Sequence, residues 1–308
     1  MTIHQIAHEA HQQLAGKYPE REIDSFVRIL FKHYCTFGGI CNAAAERSEV
    51  FVMPENKEIA GQALNDARLQ KLGQARNDAI RSAIAELKNF RPIQYILGET
   101  EFYGLPFEVN PDVLIPRPET EELVDWIVRE YDKSAALSIV DIGAGSGCIA
   151  VSLKTTFHNS TVWAVDVSEQ ALSVAKRNAA KNNVEVNFLL RDALKDGMMG
   201  FERDSLDVVV SNPPYVTASD AQQMLPNVLE YEPHIALFTP ENDPLAFFKR
   251  IAAFGKECLK KGGMIFFEIN ETLHEEVAEV LKQYDFYDIS PRRDINGKWR
   301  MVSARKIE

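Results

Sequence analysis

Ile139-Val140-Asp141-Ile142-Gly143-Ala144-Gly145-Ser146-Gly147 is an apolar run that breaks into three glycines at alternate positions, after which residues 148–153 resume a helix-compatible pattern. A strand that ends in such a turn and feeds a helix marks a ligand site at the carboxyl edge of a parallel sheet. Glycine takes backbone conformations closed to other residues and leaves no Cβ between the backbone and a bound molecule. The spacing is GxGxG. In the dinucleotide pattern GxGxxG the third glycine would fall on Cys148, so the nicotinamide-nucleotide fingerprint is not met.

Outward from this turn, strands are expected at 138–142, 161–166, 185–190, 205–210 and 263–269, alternating with helices from 147, over 168–182 and over 244–260. Such alternation requires crossover connections, hence a largely parallel sheet covered on both faces. Near the C-terminus, 284–290 and 299–304 flank Asn296-Gly297, a pair suited to the positive φ of a tight hairpin turn. The expected fold class is therefore α/β, with a mostly parallel seven-stranded sheet that finishes antiparallel. That ending resembles the Rossmann-like class I methyltransferases more than the NAD-binding folds.

Residues 1 to about 90 carry no alternating apolar run, whereas Ile23, Phe26, Val27, Leu30, Phe31 and Tyr34 recur at helical spacing behind Pro19. Further helices are expected over 55–72 and 74–89, with Gly38 and Gly39 punctuating the stretch before them. The division that follows is a small all-α domain over 1–90, a β-hairpin connector over 91–118 and the α/β domain over 119–308. The connector rests on 95–98, on 102–109 and on a turn signal at Asn110-Pro111-Asp112.

Bulk composition narrows the function classes. Of 308 residues 45% are hydrophobic and 26% charged, ordinary for a globular chain of about two domains. No stretch approaches the ~18 apolar residues of a membrane span, and no secretory pattern is present, so a cytoplasmic protein is expected. Cys35, Cys41, Cys148 and Cys258 form no CxxC pair, which indicates neither a zinc site nor a disulfide framework. The formal net charge of -11 works against tight binding to a phosphate backbone and favours a protein or small-molecule substrate.

Two acids follow the glycine turn in register with the strand ends. Asp166 closes the second strand, where a carboxylate can accept both ribose hydroxyls of a nucleoside cofactor, a role given in Rossmann folds to an acid roughly 20 residues past the glycine turn. Asp192 and Ala193 close the third, where a carboxylate or backbone group can read an adenine amino group. Helix capping, or a solvated loop position, is the structural alternative for either acid. Ser168 is the expected N-cap of the helix after Asp166.

The fourth strand ends in Ser211-Asn212-Pro213-Pro214-Tyr215. Proline fixes φ and has no N–H, so the two prolines hold a rigid turn whose carbonyls no following element consumes. Asn212 adds a side-chain acceptor and Tyr215 a flat ring. This set suits a planar nitrogen with two N–H bonds and a delocalised lone pair, a poor nucleophile. If the Asn212 side-chain oxygen and the Pro213 carbonyl each accept one N–H, the nitrogen is held in line for methyl transfer and bonded best as it pyramidalises. Asn212, Pro213 and Tyr215 are the expected catalytic residues, and Asn212, Pro213, Pro214 and Tyr215 the expected substrate contacts. Neither a nucleophilic residue nor a metal is called for.

These motifs resemble the HemK/PrmC family, whose members methylate the glutamine of the Gly-Gly-Gln tripeptide in class-1 peptide chain release factors. The similarity runs through Arg91-Pro92-Ile93-Gln94-Tyr95, Glu101-Phe102-Tyr103-Gly104, Ile115-Pro116-Arg117-Pro118-Glu119-Thr120-Glu121, the glycine turn, Asn212 to Tyr215, and Tyr231-Glu232-Pro233. It implies S-adenosylmethionine as cofactor, S-adenosylhomocysteine as product and a release factor as partner. By motif, Gly143, Ala144, Gly145, Ser146, Gly147 and Asp166 would contact the cofactor, with Asp192 and Ala193 by the adenine. Phe102 and Arg117 to Thr120 would wall the site, and the helical domain would dock the factor. The resemblance breaks at Glu268-Ile269-Asn270-Glu271, where relatives tend to carry a glycine after Glu-Ile.

One rival is a nucleic-acid amino-methyltransferase acting on adenine N6 or guanine N2, which would need a basic track. Another is a noncatalytic binding protein, against which the intact Asn212 to Tyr215 set argues. His4, His8 and His11 share one face of the first expected helix, but no HExxH pattern accompanies them and an exposed polar face explains the spacing. Arg292 and Arg293 are read as charges on an exposed edge strand.

Overall fold

A computed structural model describes residues 3–36, 62–197, 200–217, 220–239 and 243–307, which fall into two compact units, 1–97 and 98–308. The first unit is helical: α1 (Ile3–Leu14), α2 (Glu20–Thr36), α3 (Gln62–Leu87) and the short α4 (Ile93–Leu97). Its core takes one stripe from each long helix: Ile6, Ala10 and Leu14, then Ile23, Phe26, Val27 and Leu30, then Ile80, Ala83, Ile84 and Leu87. The i, i+3, i+4 spacing of these residues places them on single faces. Tyr18 locks the corner before α2, with its ring edge-on to Phe26 at 5.0 Å and its hydroxyl donating to the Leu87 carbonyl at 2.8 Å.

Two helices expected over 55–72 and 74–89 are one continuous α3, which passes through Gly73. A lone glycine costs a helix only about 1 kcal/mol relative to alanine and does not break it. Residues 55–61, Gly38, Gly39 and Cys41 lie outside the described residues.

The second unit opens with the hairpin β1 (Glu99–Phe102) and β2 (Leu105–Glu108), paired antiparallel. The turn lies at Tyr103 and Gly104, whose φ values of 51° and 72° match the right-handed strand twist. Residues 95–97, grouped in the sequence with the hairpin, belong instead to α4. Helix α5 (Pro118–Glu130), which sequence reading does not assign, then starts with proline at its first turn and buries Leu123, Val124, Trp126 and Ile127.

The main sheet consists of β3 (Ser138–Ile142), β4 (Thr161–Asp166), β5 (Asn187–Leu190), β6 (Leu206–Ser211), β7 (Leu259–Glu268), β8 (Phe286–Arg293) and β9 (Trp299–Lys306). Its order is β5-β4-β3-β6-β7-β9-β8, parallel except for β9, which runs antiparallel between β7 and β8. Along β6, Val208 and Val210 join the apolar layer under α5 and α6 (Cys148–Thr156). Beyond the single-turn helices α8 (Pro226–Leu229) and α9 (His234–Leu237), Val209 joins the layer under α10 (Ala246–Cys258) and α11 (His274–Gln283). A strand buried on both faces alternates between two cores, which is why these strands read as continuous apolar runs.

Asn296-Gly297 sits in a five-residue loop rather than a two-residue turn, and only Gly297 has a positive φ, 80°. Asp294 organises this loop, its Oδ1 accepting the N–H groups of Asn296 and Lys298 at 2.9 Å each. Arg292 and Arg293 lie on the edge strand as expected, but their guanidinium groups stack on Trp126 and Trp299 at 3.9 and 4.2 Å from the ring centroids. Packing on indole thus adds to any role of their charge.

Candidate active site

The chain leaves β3 for β4 on one side of the sheet and returns to β6 on the other, so the strand order reverses between β3 and β6. Side chains at the carboxyl ends of both strands face the crevice that opens at such a switch point. The register brings Ile142 opposite Ser211, which sets the glycine turn directly beside Asn212. A cavity of about 210 Å³ opens here, and Gly143, Gly145, Asp166, Asp192, Ala193, Asn212, Pro213 and Pro214 are all among its lining residues.

The glycine turn is held by backbone contacts. Gly143 and Ala144 both donate to the Val165 carbonyl, at 2.8 and 3.0 Å, which fastens the turn to β4. Gly147 has φ of 78°, and a Cβ built there would stand 2.9 Å from the Ala175 Cβ on α7 (Glu169–Lys181), so close helix packing and backbone conformation both require glycine. Asn178 of α7, fully buried, donates to the Ser146 and Glu108 carbonyls, both at 2.9 Å, tying the turn to the hairpin.

Asp166 closes β4 with both carboxylate oxygens turned to backbone donors around the cleft. Its Oδ1 accepts the Ser168 N–H at 2.9 Å, and its Oδ2 accepts the Gly145 N–H at 2.8 Å across the cleft floor. Burial pushes its carboxyl above the usual range, opposed by those backbone donors. Ser168 caps α7 by accepting from Ala171 at 3.1 Å. Asp192 is engaged by Lys195 at 2.8 Å, which holds its carboxyl below the usual range, and it accepts the Leu194 N–H at 2.9 Å. Below the turn, Asp141 is fully buried, with Oδ2 accepting from Ala150 at 3.2 Å and Oδ1 unpaired among the described residues. Burial raises this acid to about 8.

On the other wall the controlling residue is one that sequence reading left without a role. Glu268, at the end of β7 and only 1% exposed, accepts the Thr120 hydroxyl at 2.6 Å on one oxygen and the Tyr215 hydroxyl at 3.0 Å on the other. Thr120 in turn accepts from the Asn212 Nδ2 at 3.2 Å. Burial raises the Glu268 carboxyl, and Thr120, Tyr215 and the nearby Arg300 oppose the shift. The departure from the family pattern after this strand leaves Glu268 itself intact.

Tyr215 does not line the cavity; its ring packs partly against the core and its hydroxyl meets Glu268. Phe102 is likewise in the core, edge-on to Phe107 at 5.9 Å, and not on the cavity wall. Arg117 bonds Glu232 at 2.5 Å, and the second Glu232 oxygen takes the Ile115 N–H at 3.1 Å, so the two family motifs meet through one buried carboxylate. The three histidines do not converge: His11 contacts Asp24 at 2.9 Å and His8 contacts Gln12.

The Methyltransferase small domain family matches residues 123–231. A 16S rRNA N2 methyltransferase from Thermus thermophilus, solved with AdoMet and guanosine, shares the fold at a TM-score of 0.50 and 18% identity, covering 68% of this chain and 49% of that one. The mixed seven-stranded sheet with its switch-point cleft is the fold of the class I methyltransferases. A release factor glutamine methyltransferase of Flavobacterium psychrophilum is 40% identical over 95% of both chains, and one of Koribacter versatilis is 34% identical over 99% of both. The relative of that name from Bacteroides thetaiotaomicron is 43% identical over 74% of this chain and 80% of its own. The chain belongs to the release factor glutamine methyltransferase family. No helix among the described residues is long and apolar enough to cross a membrane.

Proposed function

We propose that this chain methylates the side-chain amide nitrogen of the glutamine in the Gly-Gly-Gln motif of class-1 peptide chain release factors. Gly143, Ala144, Gly145, Ser146, Gly147 and Asp166 would hold S-adenosylmethionine, with Asp192 and Ala193 beside its adenine. The cleft fits that molecule: a Cβ on Gly145 would project into open space, and Asp166 lines the cavity at the end of β4. The bound cofactor supplies an electrophilic methyl group on a sulfonium and leaves as S-adenosylhomocysteine. The protein has to present the amide nitrogen in line and favour its pyramidal form.

One observation carries this reading. The Asn212 amide gives its N–H to Thr120, so its oxygen is directed to the cleft as an acceptor beside the Pro213 carbonyl. Two acceptors at that point suit the two N–H bonds of a primary amide, and they bind most strongly as the nitrogen lone pair localises. Pro213 is buried, and Pro214 after it narrows the ψ that orients its carbonyl. The helical unit is assigned to docking the folded factor. Deleting residues 1–90 should then reduce kcat/KM on the intact factor more than on a short Gly-Gly-Gln peptide, and equal losses would refute the assignment.

The direct test is incubation with labelled S-adenosylmethionine and a release factor, followed by mass localisation of the methyl group. Label on the Gly-Gly-Gln glutamine is expected, and label on nucleic acid alone would overturn the proposal. Asn212→Ala should lower kcat by ~10²-fold or more while leaving cofactor affinity unchanged.

A further inference from the structure

We infer that Thr120 is a positioning residue that sets which end of the Asn212 amide faces the cleft, its own hydroxyl being oriented by Glu268. The inference rests on the reading of Asn212 as the acceptor for the substrate amide.

An asparagine side chain is nearly symmetric in shape, and its two ends differ only in hydrogen-bonding sense. Rotation by half a turn would replace the acceptor in the cleft with an NH2 group, which cannot accept from a substrate amide. Something must therefore choose between the two orientations. Thr120 Oγ1 lies 2.6 Å from Glu268 Oε2 and 3.2 Å from Asn212 Nδ2. A hydroxyl has a single proton. With the Tyr215 hydroxyl donating to its other oxygen, Glu268 receives the Thr120 proton on Oε2, and only lone pairs remain for Asn212. Asn212 must then present its NH2 to Thr120, and its oxygen turns to the cleft, where it has no partner among the described residues.

Three features hold this polarity. Glu268 and Thr120 are 1% and 3% exposed, so water does not compete for either contact. The second Glu268 oxygen is taken by the Tyr215 hydroxyl at 3.0 Å, giving each oxygen its own donor. Arg300, with the two hydroxyl donors, opposes the rise that burial imposes on the Glu268 carboxyl. The parts come from α5, from the turn after β6 and from the end of β7, so the acceptor is oriented by residues outside its own loop. Thr120 occupies the first turn of α5 behind Pro118, which fixes where its side chain starts.

Thr120→Val keeps the shape, removes the hydroxyl and frees the amide to rotate. Its kcat should fall about tenfold, the equivalent of one net hydrogen bond of roughly 1.4 kcal/mol, with KM and cofactor affinity unchanged. Thr120→Ser should restore most of the rate. In an Asn212→Ala background, Thr120→Val should have no further effect, because no amide remains to orient. A purely structural role would instead lower thermal stability and cofactor binding together and would persist in that background, which would overturn the inference. Full activity of Thr120→Val alongside an inactive Asn212→Ala would overturn the positioning role alone. Full activity of Asn212→Ala would overturn the acceptor reading on which it rests.

Discussion

The two walls of the cleft are built by different means. On the glycine-turn side, residues 143–147 bond to β4 through main-chain groups, and Asp166 reaches back to Gly145 and forward to Ser168, all within the span from β3 to α7. On the Asn212 side, the loop is held by side chains from far along the chain, with Thr120 and Glu268 separated by 148 residues. One wall is a local fold of the backbone. The other is a relay of hydroxyl and carboxylate groups that exists only once the sheet has assembled, so substitutions should divide accordingly: those on the first wall should alter cofactor binding and stability, those on the second mainly turnover.

Asp166→Ala should produce the largest change on the local wall. It removes an acceptor with free lone pairs from the cleft and the partner of the Gly145 N–H, and cofactor binding should weaken by roughly 2–4 kcal/mol. Calorimetry giving wild-type affinity would end the distinction between the walls. Gly147→Ala should cost about 1–3 kcal/mol of folding stability, from the positive φ and the contact with Ala175. Thermal unfolding reads it as a lower Tm, and an unchanged Tm would mean that α7 yields without cost.

Tyr215→Phe sharpens the other side. From sequence the hydroxyl has no evident partner and its loss should matter little. With Glu268 buried beneath it, removal takes one of two hydroxyl donors from a carboxylate and should cost about 1–2 kcal/mol, read in denaturant unfolding, while cofactor affinity stays at the wild-type value. A stability within error of wild type would show that Thr120 and Arg300 suffice.

A further test concerns Asp141 and the pH dependence of stability. The folded chain holds its proton up to about pH 8, whereas the unfolded chain releases it near 3.8. Across that window the folded state binds the extra proton, so the contribution of this group to stability falls as pH rises. Asp141→Asn lacks that decline. The difference in Tm between variant and wild type should therefore grow in the variant's favour from about pH 5 to about pH 8, and a constant difference would assign the slope to other groups.

The elements read best from sequence are those whose signal is contiguous. Strands β3 and β4 fall at the expected residues, and α7 begins after the expected cap at Ser168. Helices α5 and α11 lie outside the expected elements although both have periodic apolar faces, Leu123, Val124 and Ile127 in one and Val277, Val280 and Leu281 in the other. The signals that could have found them were Pro118 followed by acids in the first turn of α5, and Glu275 and Glu276 in the first turn of α11.

By itself, the sequence determined the alternation of strands and helices, the glycine turn with its following acid, and the rigid Asn-Pro-Pro-Tyr corner. Each depends on properties of neighbouring residues: apolar periodicity, freedom at φ, or its loss at proline. Only the tertiary structure decided that Glu268 meets Thr120 and Tyr215, that Tyr215 leaves the cavity wall, and that the Asn212 NH2 is engaged by Thr120. Those outcomes depend on which strand ends lie side by side and on where one proton is shared between buried oxygens. Sheet order and desolvation set both, and neither is a property of any local stretch of chain.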